Sequence, residues 1–144
     1  MSDEPQPQFV DTNVLIYAHD KSAGAKYERA SALLKELWEN GNGCLSVQVL
    51  QEFYVNVTRK IAKPLDVDTA KRVIADLGQW TVHSPNVEDV VEAIGAQGRF
   101  KLSFWDSMII TSAARLGCDI VWSEDLNDGQ SYDDVKVINP FKHA

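Results

Sequence analysis

Hydrophobic positions along the chain alternate between strand-like runs and helical spacings. After a polar opening, Phe9-Val10 meets Asp11-Thr12-Asn13, residues suited to a helix N-cap, and then Val14-Leu15-Ile16-Tyr17, which predicts a strand followed by a short helix. Between Ala25 and Asn40, apolar residues recur every three or four positions, from Tyr27 through Leu33 and Leu37 to Trp38. An amphipathic helix closed by Gly41 is expected there. Cys44-Leu45-Ser46 reads as a short strand. Leu50, Phe53, Tyr54, Val57 and Ile61 form a second helical stripe that Pro64 stops. A third helix is predicted over 68–79, with Trp80-Thr81-Val82 as the next strand. Asn86 and Asp89 have capping-box spacing and open a further helix. From Ser103 to Leu116 the chain is apolar nearly all round, which predicts a buried central helix ended by Gly117. Ile120-Val121-Trp122 and the run 135–138 read as buried strands. This alternation predicts an α/β domain with a short central parallel sheet covered by helices on both faces.

The chain has 144 residues, the size of one domain, with residues 1–7 expected as a flexible polar tail and 8–144 as the folded unit. The opening MSDEPQPQ has neither the basic nor the apolar region of a secretory signal. The longest charge-free stretch, Asn40 to Gln51, is only 12 mostly polar residues, so no membrane span is expected and the location predicted is cytoplasmic. Cys44 and Cys118 stand apart from each other and from His19, His83 and His143. They are expected as buried reduced thiols, not zinc ligands. With 14 basic and 21 acidic side chains the formal charge is −7, which disfavours non-specific attraction to a phosphate backbone.

Candidate chemistry lies where open parallel sheets bind ligands, beyond the carboxyl ends of the strands. Asp11 follows the first strand and Asp125 follows the Ile120-Val121-Trp122 run, although each position also suits a cap or turn. Asp106 lies in Phe104-Trp105-Asp106-Ser107-Met108, where a charge is costly unless paired or bound to a cation. Ser103-x-x-Asp106 offers a capping explanation for the same residue. Glu52 points away from the apolar stripe of its own helix, and periodicity alone makes it a solvated side chain. Clustered carboxylates repel one another without a cation, and oxygen-only donors suit Mg²⁺ or Mn²⁺. A metal-assisted phosphodiesterase is the chemistry they point to.

Asp11-Thr12-Asn13-Val14-Leu15-Ile16-Tyr17, Gln51-Glu52-Phe53, Phe104-Trp105-Asp106-Ser107 and Ser123-Glu124-Asp125-Leu126, in this order, resemble the acidic motifs of PIN-domain nucleases. Asn139-Pro140-Phe141 is similar to the end of VapC-type toxins of bacterial toxin–antitoxin pairs. The resemblance implies a ribonuclease in which Asp11, Glu52, Asp106 and Asp125 are both the catalytic residues and the ligands of one or two Mg²⁺ or Mn²⁺ ions. Asn13 and Ser123 match positions that support the acids through hydrogen bonds. The Ser/Thr-x-Asp pattern selects Asp125 over Glu124; Asp128 could add a further acid, but Asn127-Asp128-Gly129 is equally a simple turn.

Two divalent ions would bring the formal charge to −3 (−7 + 4), so RNA needs local cations. Arg59, Lys60 and Lys63, with Arg99 and Lys101, are the candidates, although a solvated helix face explains them equally well. The resemblance further implies a VapB-type antitoxin and allows a homodimer. An antitoxin Arg would suit the carboxylate cleft, next to an apolar rim formed by Trp38 and Tyr54. A receiver-like Mg²⁺-binding signalling module and a non-catalytic PIN scaffold are the competing functions. The first lacks its acid pair here, because Asn13 follows Asp11, and the second fits poorly with four retained acids.

Overall fold

The computed structural model describes residues 4–142, so residues 1–3 of the expected tail, together with His143, lie outside it. The elements run β1 (Gln8–Val10), α1 (Thr12–Ala18), a 3-10 turn (Lys21–Ala23), α2 (Ala25–Asn40), β2 (Gly43–Ser46), α3 (Val47–Arg59) and α4 (Val67–Leu77). They continue as β3 (Thr81–His83), α5 (Val87–Phe100), α6 (Phe104–Arg115), β4 (Ile120–Trp122), β5 (Ser131–Tyr132) and β6 (Val135–Ile138). Among the described α-helices, all but α2 start at a side-chain cap. Asp11, Ser46, Asp66 and Ser103 accept backbone N–H groups at the openings of α1, α3, α4 and α6, and Asn86 and Asp89 complete the capping box of α5. Gly41 ends α2 in the left-handed conformation, at φ 66°.

The six strands are ordered β3-β2-β1-β4-β6-β5. All neighbours pair parallel except β5, which runs antiparallel to β6, so the central sheet is parallel as expected and a two-residue antiparallel strand is added at one edge. That edge is a hairpin whose turn uses Asp133 at φ 55°, a conformation Asp tolerates better than most residues. Helices α2 and α3 contact β2 from one layer, while α6 lies on β2, β4 and β6 with α5 packed outside it. With this strand order, connections of the usual right-handed sense put these two layers on opposite faces. Phe9, Val10, Leu45 and Val121 fill the centre between them and are fully buried. Cys44 and Cys118 are buried and free. No described helix is long and apolar enough to cross a membrane.

Two local expectations are corrected. Helix α6 is not buried all round, because Trp105 in its first turn is 62% exposed. Trp38 packs on Trp80, with ring centroids 5.7 Å apart, and Trp80 in turn covers Gly43 at the amino end of β2. It therefore lies at the opposite end of the sheet from the strand ends that carry Asp11 and Asp125. Any Cβ on residue 43 would fall 2.5 Å from the Trp80 ring, which is why a glycine is needed there.

Candidate active site

Strands β1, β2 and β3 step outward on one side, and β4 and β6 lie on the other, so the strand order reverses between β1 and β4. The carboxyl ends of these two strands frame the crevice where open α/β sheets bind ligands. Backbone ties set its floor: Asp11 N donates to Trp122 O at 3.0 Å, and Ser123 N to Ile138 O at 3.0 Å.

Asp11 is the innermost acid, 5% exposed. Its Oδ1 accepts from Thr12 N at 2.7 Å, which is the helix-cap role, while Oδ2 accepts from Ser123 Oγ at 2.8 Å and from Asn13 Nδ2 at 3.3 Å. Both explanations of this residue thus hold at once, one for each oxygen. Burial pushes its pKa up to about 6, opposed by the bonds from Ser123 and Thr12 and reinforced by the negative charges of Asp125 and Glu52.

Asn13 and Ser123 knit the two strand ends together. Asn13 Nδ2 also lies 3.2 Å from both Asp125 Oδ2 and Ser123 Oγ, and its Oδ1 accepts from Glu124 N at 3.0 Å. Ser123 Oγ accepts from Asp125 N at 3.2 Å, which holds the exposed Asp125 loop over the crevice. Glu124 turns the other way, accepting from Tyr17 Oη and from Lys26 Nζ, both at 2.6 Å. The hydrogen bond to Glu124, with burial and its negative charge, raises the Tyr17 phenol above its ordinary pKa. The choice between these adjacent acids accordingly rests on their partners.

Glu52 is half-buried, not solvated. Its Oε1 accepts from Thr12 Oγ1 and from Gln48 Nε2, each at 3.2 Å. The same Gln48 amide donates to Trp105 O at 3.3 Å, bridging α3 to the start of α6. Neither Thr12 nor Gln48 stood out in the sequence; Gln48 lies four residues before Glu52, the spacing at which helical side chains meet. Asp106 N donates to Ser103 Oγ at 3.1 Å. Burial raises the Asp106 carboxyl, which Ser103 opposes and the Asp125 charge reinforces. Asp128 Oδ1 accepts from Asn139 N at 2.7 Å, a turn-fixing bond.

Four acids carried by β1, α3, α6 and the β4 end are therefore electrostatically connected. Among the described residues, no three such side chains form a closed metal cage. The donors are all hard oxygens, and Mg²⁺ commonly takes one or two carboxylates and keeps several waters, so the residues fit such an ion without a cage.

The basic candidates divide. Lys60 lines a cleft of about 360 Å³ with Asn13, Tyr17, Asn56 and Asp125, adjoining the acids. Lys63 borders a neighbouring hollow with His19 and Leu65. Arg59 is exposed in the last turn of α3, and Lys101 is the exposed left-handed cap of α5, at φ 56°. Arg99 is engaged with Asp133 at 2.9 Å and borders a hollow that contains none of the four acids. Tyr54 lines an apolar groove with Val47, Leu50 and Ile74, separate from the hollow that Trp38 lines.

A parallel sheet with acids gathered at its β1/β4 switch point defines a small acidic-site α/β domain. The PIN domain family model matches residues 9–129, and the chain belongs to that family. Its fold is similar to that of a toxin–antitoxin complex from Klebsiella pneumoniae, with 16% identity over 92% of this chain and 97% of that chain and a TM-score of 0.69. It is also similar to Mycobacterium tuberculosis VapC20, a sarcin–ricin loop cleaving toxin (18% identity, 82% of this chain and 89% of that chain, TM-score 0.62). DNA-bound VapBC from Salmonella typhimurium is a third (15% identity, 92% and 97%, TM-score 0.64). A comparison with curated proteins finds no match.

Proposed function

We propose that this PIN domain is a divalent-metal-dependent endoribonuclease of the cytoplasm and the toxin of a toxin–antitoxin pair. The observation that carries this is the mutual repulsion of its acids: Asp11 is raised by Asp125 and Glu52, and Asp106 by Asp125. Such a group is stabilised by a cation and has little value to the fold alone. Asp11, Glu52, Asp106 and Asp125 would hold one or two Mg²⁺ or Mn²⁺ ions. When bound, the metal supplies an activated water and neutralises charge that builds on the phosphate.

The chain's own residues supply orientation. Asn13 and Ser123 fix Asp11 and Asp125 relative to each other, while Thr12 and Gln48 fix one oxygen of Glu52 and leave the other free. Lys60, beside the acids, offers a phosphate contact, and the exposed Trp105 ring next to Asp106 offers a stacking surface for a base. Stacking matters here because a net charge of −7 gives RNA no general attraction.

The toxin role is supported by the likeness to chains from toxin–antitoxin complexes over 92% of this chain. A VapB-type antitoxin that places an Arg among the acids would compete with metal and RNA. The test is expression in bacteria: the chain alone should arrest growth, and co-expression of a small DNA-binding protein encoded beside it should restore growth. A chain that is harmless, and that no such neighbour binds, would remove the toxin role and leave the nuclease to be judged separately.

A further inference from the structure

Helix α3 and its cap residue Lys60 carry a polar row on the side away from the core stripe: Gln48, Glu52, Asn56 and Lys60, each four residues after the last. Residues four apart share a helix face and are separated by about 6 Å of rise. The row that enters the acid site with Gln48 and Glu52 therefore continues beyond it with Asn56 and Lys60. It ends in the cleft of about 360 Å³ that Asp125 borders, a volume at the small end of ligand pockets. Asp20, at the cap of the 3-10 turn, lines the same cleft, and Ile16 and Ile61 give it apolar surface.

The open hydrogen-bonding groups in this cleft are mostly acceptors. Asp20 Oδ1 accepts from Ser22 N at 3.1 Å and from Ser22 Oγ at 2.5 Å, while among the described residues no donor meets Oδ2. Asn56 Nδ2 donates to Glu52 O at 2.8 Å, which fixes the amide and leaves Oδ1 without a donor among the described residues. Two open acceptors near the Asp125 carboxylate disfavour a phosphate and favour a neutral group rich in N–H. Lys60 is exposed, and its ammonium has three hydrogens, enough for this group and for a phosphate outside the cleft. Among RNA bases, guanine presents two adjacent donors, N1–H and N2–H, beside an acceptor, O6. Adenine and cytosine place a ring acceptor next to the amino group, against an oxygen lone pair, and uracil has a single N–H. An adjoining hollow shares Asp20 and Ser22 with the cleft and adds Lys21 and Lys63, cations suited to the next phosphate of a strand.

We infer that this cleft holds a guanine of the substrate RNA, on the nucleotide beside the scissile phosphate, with Asp20 Oδ2 and Asn56 Oδ1 accepting from N1–H and N2–H and Lys60 donating to O6. This deepens the nuclease assignment and rests on it.

Two measurements on the full chain test the site separately from the nuclease. Digestion of a random-sequence RNA with Mg²⁺ should give cuts beside guanine about tenfold more often than beside adenine, the scale at which a site built for hydrogen bonds rejects the wrong base. Asp20→Asn keeps the turn cap and replaces the open acceptor by a donor, so it should abolish this preference, as should Asn56→Leu. In chelator, guanosine should shift the Asn56 side-chain amide resonances of the ¹⁵N-labelled chain, and adenosine should not. RNA cleaved without base preference, or a preference that Asp20→Asn leaves unchanged, would overturn the guanine site and leave the nuclease standing. Equal binding of adenosine and guanosine would also overturn it. A chain that cleaves no RNA yet binds guanosine at Asn56 would remove the nuclease and support the guanine site.

Discussion

The Ser123 hydroxyl donates to Asp11 Oδ2 at 2.8 Å, across the crevice between β1 and β4 and across 112 positions of sequence. The same oxygen accepts from Asn13 Nδ2 and from Asp125 N, so one hydroxyl positions two acids from opposite sides of the switch point. Ser123→Ala removes a bond that lowers the Asp11 pKa. The acid limb of the pH–activity profile should move upward, and denaturant unfolding at pH 7 should show a loss of about 1.5–3 kcal/mol, typical for a hydrogen bond to a charged group. An unmoved acid limb would mean that Ser123 does not act through Asp11.

Asp11 makes the metal-free fold pH-dependent in a definite direction. Its folded pKa, about 6, lies above the ordinary 3.8, so the folded chain holds a proton there that the unfolded chain has released. Stability from this group is full below pH 4 and is lost as pH rises through 6. Asp11→Asn removes that loss, so the variant should gain on the wild type between pH 4 and pH 7 by an amount on the order of 2–3 kcal/mol. Thermal melts of both proteins in chelator give this difference, and a constant gap across that range would contradict it.

Gln48 should matter to metal affinity more than to folding. Its amide holds Glu52 Oε1 and the Trp105 carbonyl. Gln48→Met keeps the side-chain length and removes both bonds. Titration calorimetry with Mn²⁺ should show binding weakened by about tenfold, the usual scale for losing a residue that orients a ligand. Unchanged Mn²⁺ affinity in a folded variant would show that Glu52 is set by Thr12 alone or is not a ligand.

Trp105 tests the route by which RNA is held. Trp105→Ala should raise KM for a single-stranded RNA by roughly fivefold or more with little change in kcat, because a stacked base contributes about 1–3 kcal/mol. Trp105→Phe should recover most of the loss. A fall in kcat at constant KM would instead make Trp105 part of the support for Asp106.

Much of the fold was legible because its signals are local. Helix α2 spans Ala25–Asn40 as its apolar spacing and Gly41 indicate, and the capping box at Asn86 forms as its spacing indicates. What was hidden depends on neighbours distant in sequence. Strand β5 is two residues long, with no periodicity of its own, and exists because β6 lies beside it. Trp105 and Trp38 both sit in apolar patterns, but periodicity does not say where a helix runs past the sheet, and Trp38 lies at the wrong end for the site. Glu52 points away from the core stripe of α3 as expected, yet α1 and α6 approach on that side and supply Thr12 and the Trp105 carbonyl around it. The acids were legible as an ordered series. The hydrogen bonds that connect them, through Asn13, Ser123 and Gln48, belong to the folded chain.

The central claim, metal-dependent cleavage of RNA by the four acids, is tested most directly by one cleavage assay on the full chain alongside Asp106→Asn purified identically. Asp106→Asn keeps the side-chain shape and the cap from Ser103 while removing one charge of the cluster. The wild type should cleave RNA, lose cleavage in excess chelator and regain it on addition of Mg²⁺ or Mn²⁺, while folded Asp106→Asn stays inactive throughout. Cleavage undiminished in chelator, or full activity in Asp106→Asn, would contradict the account.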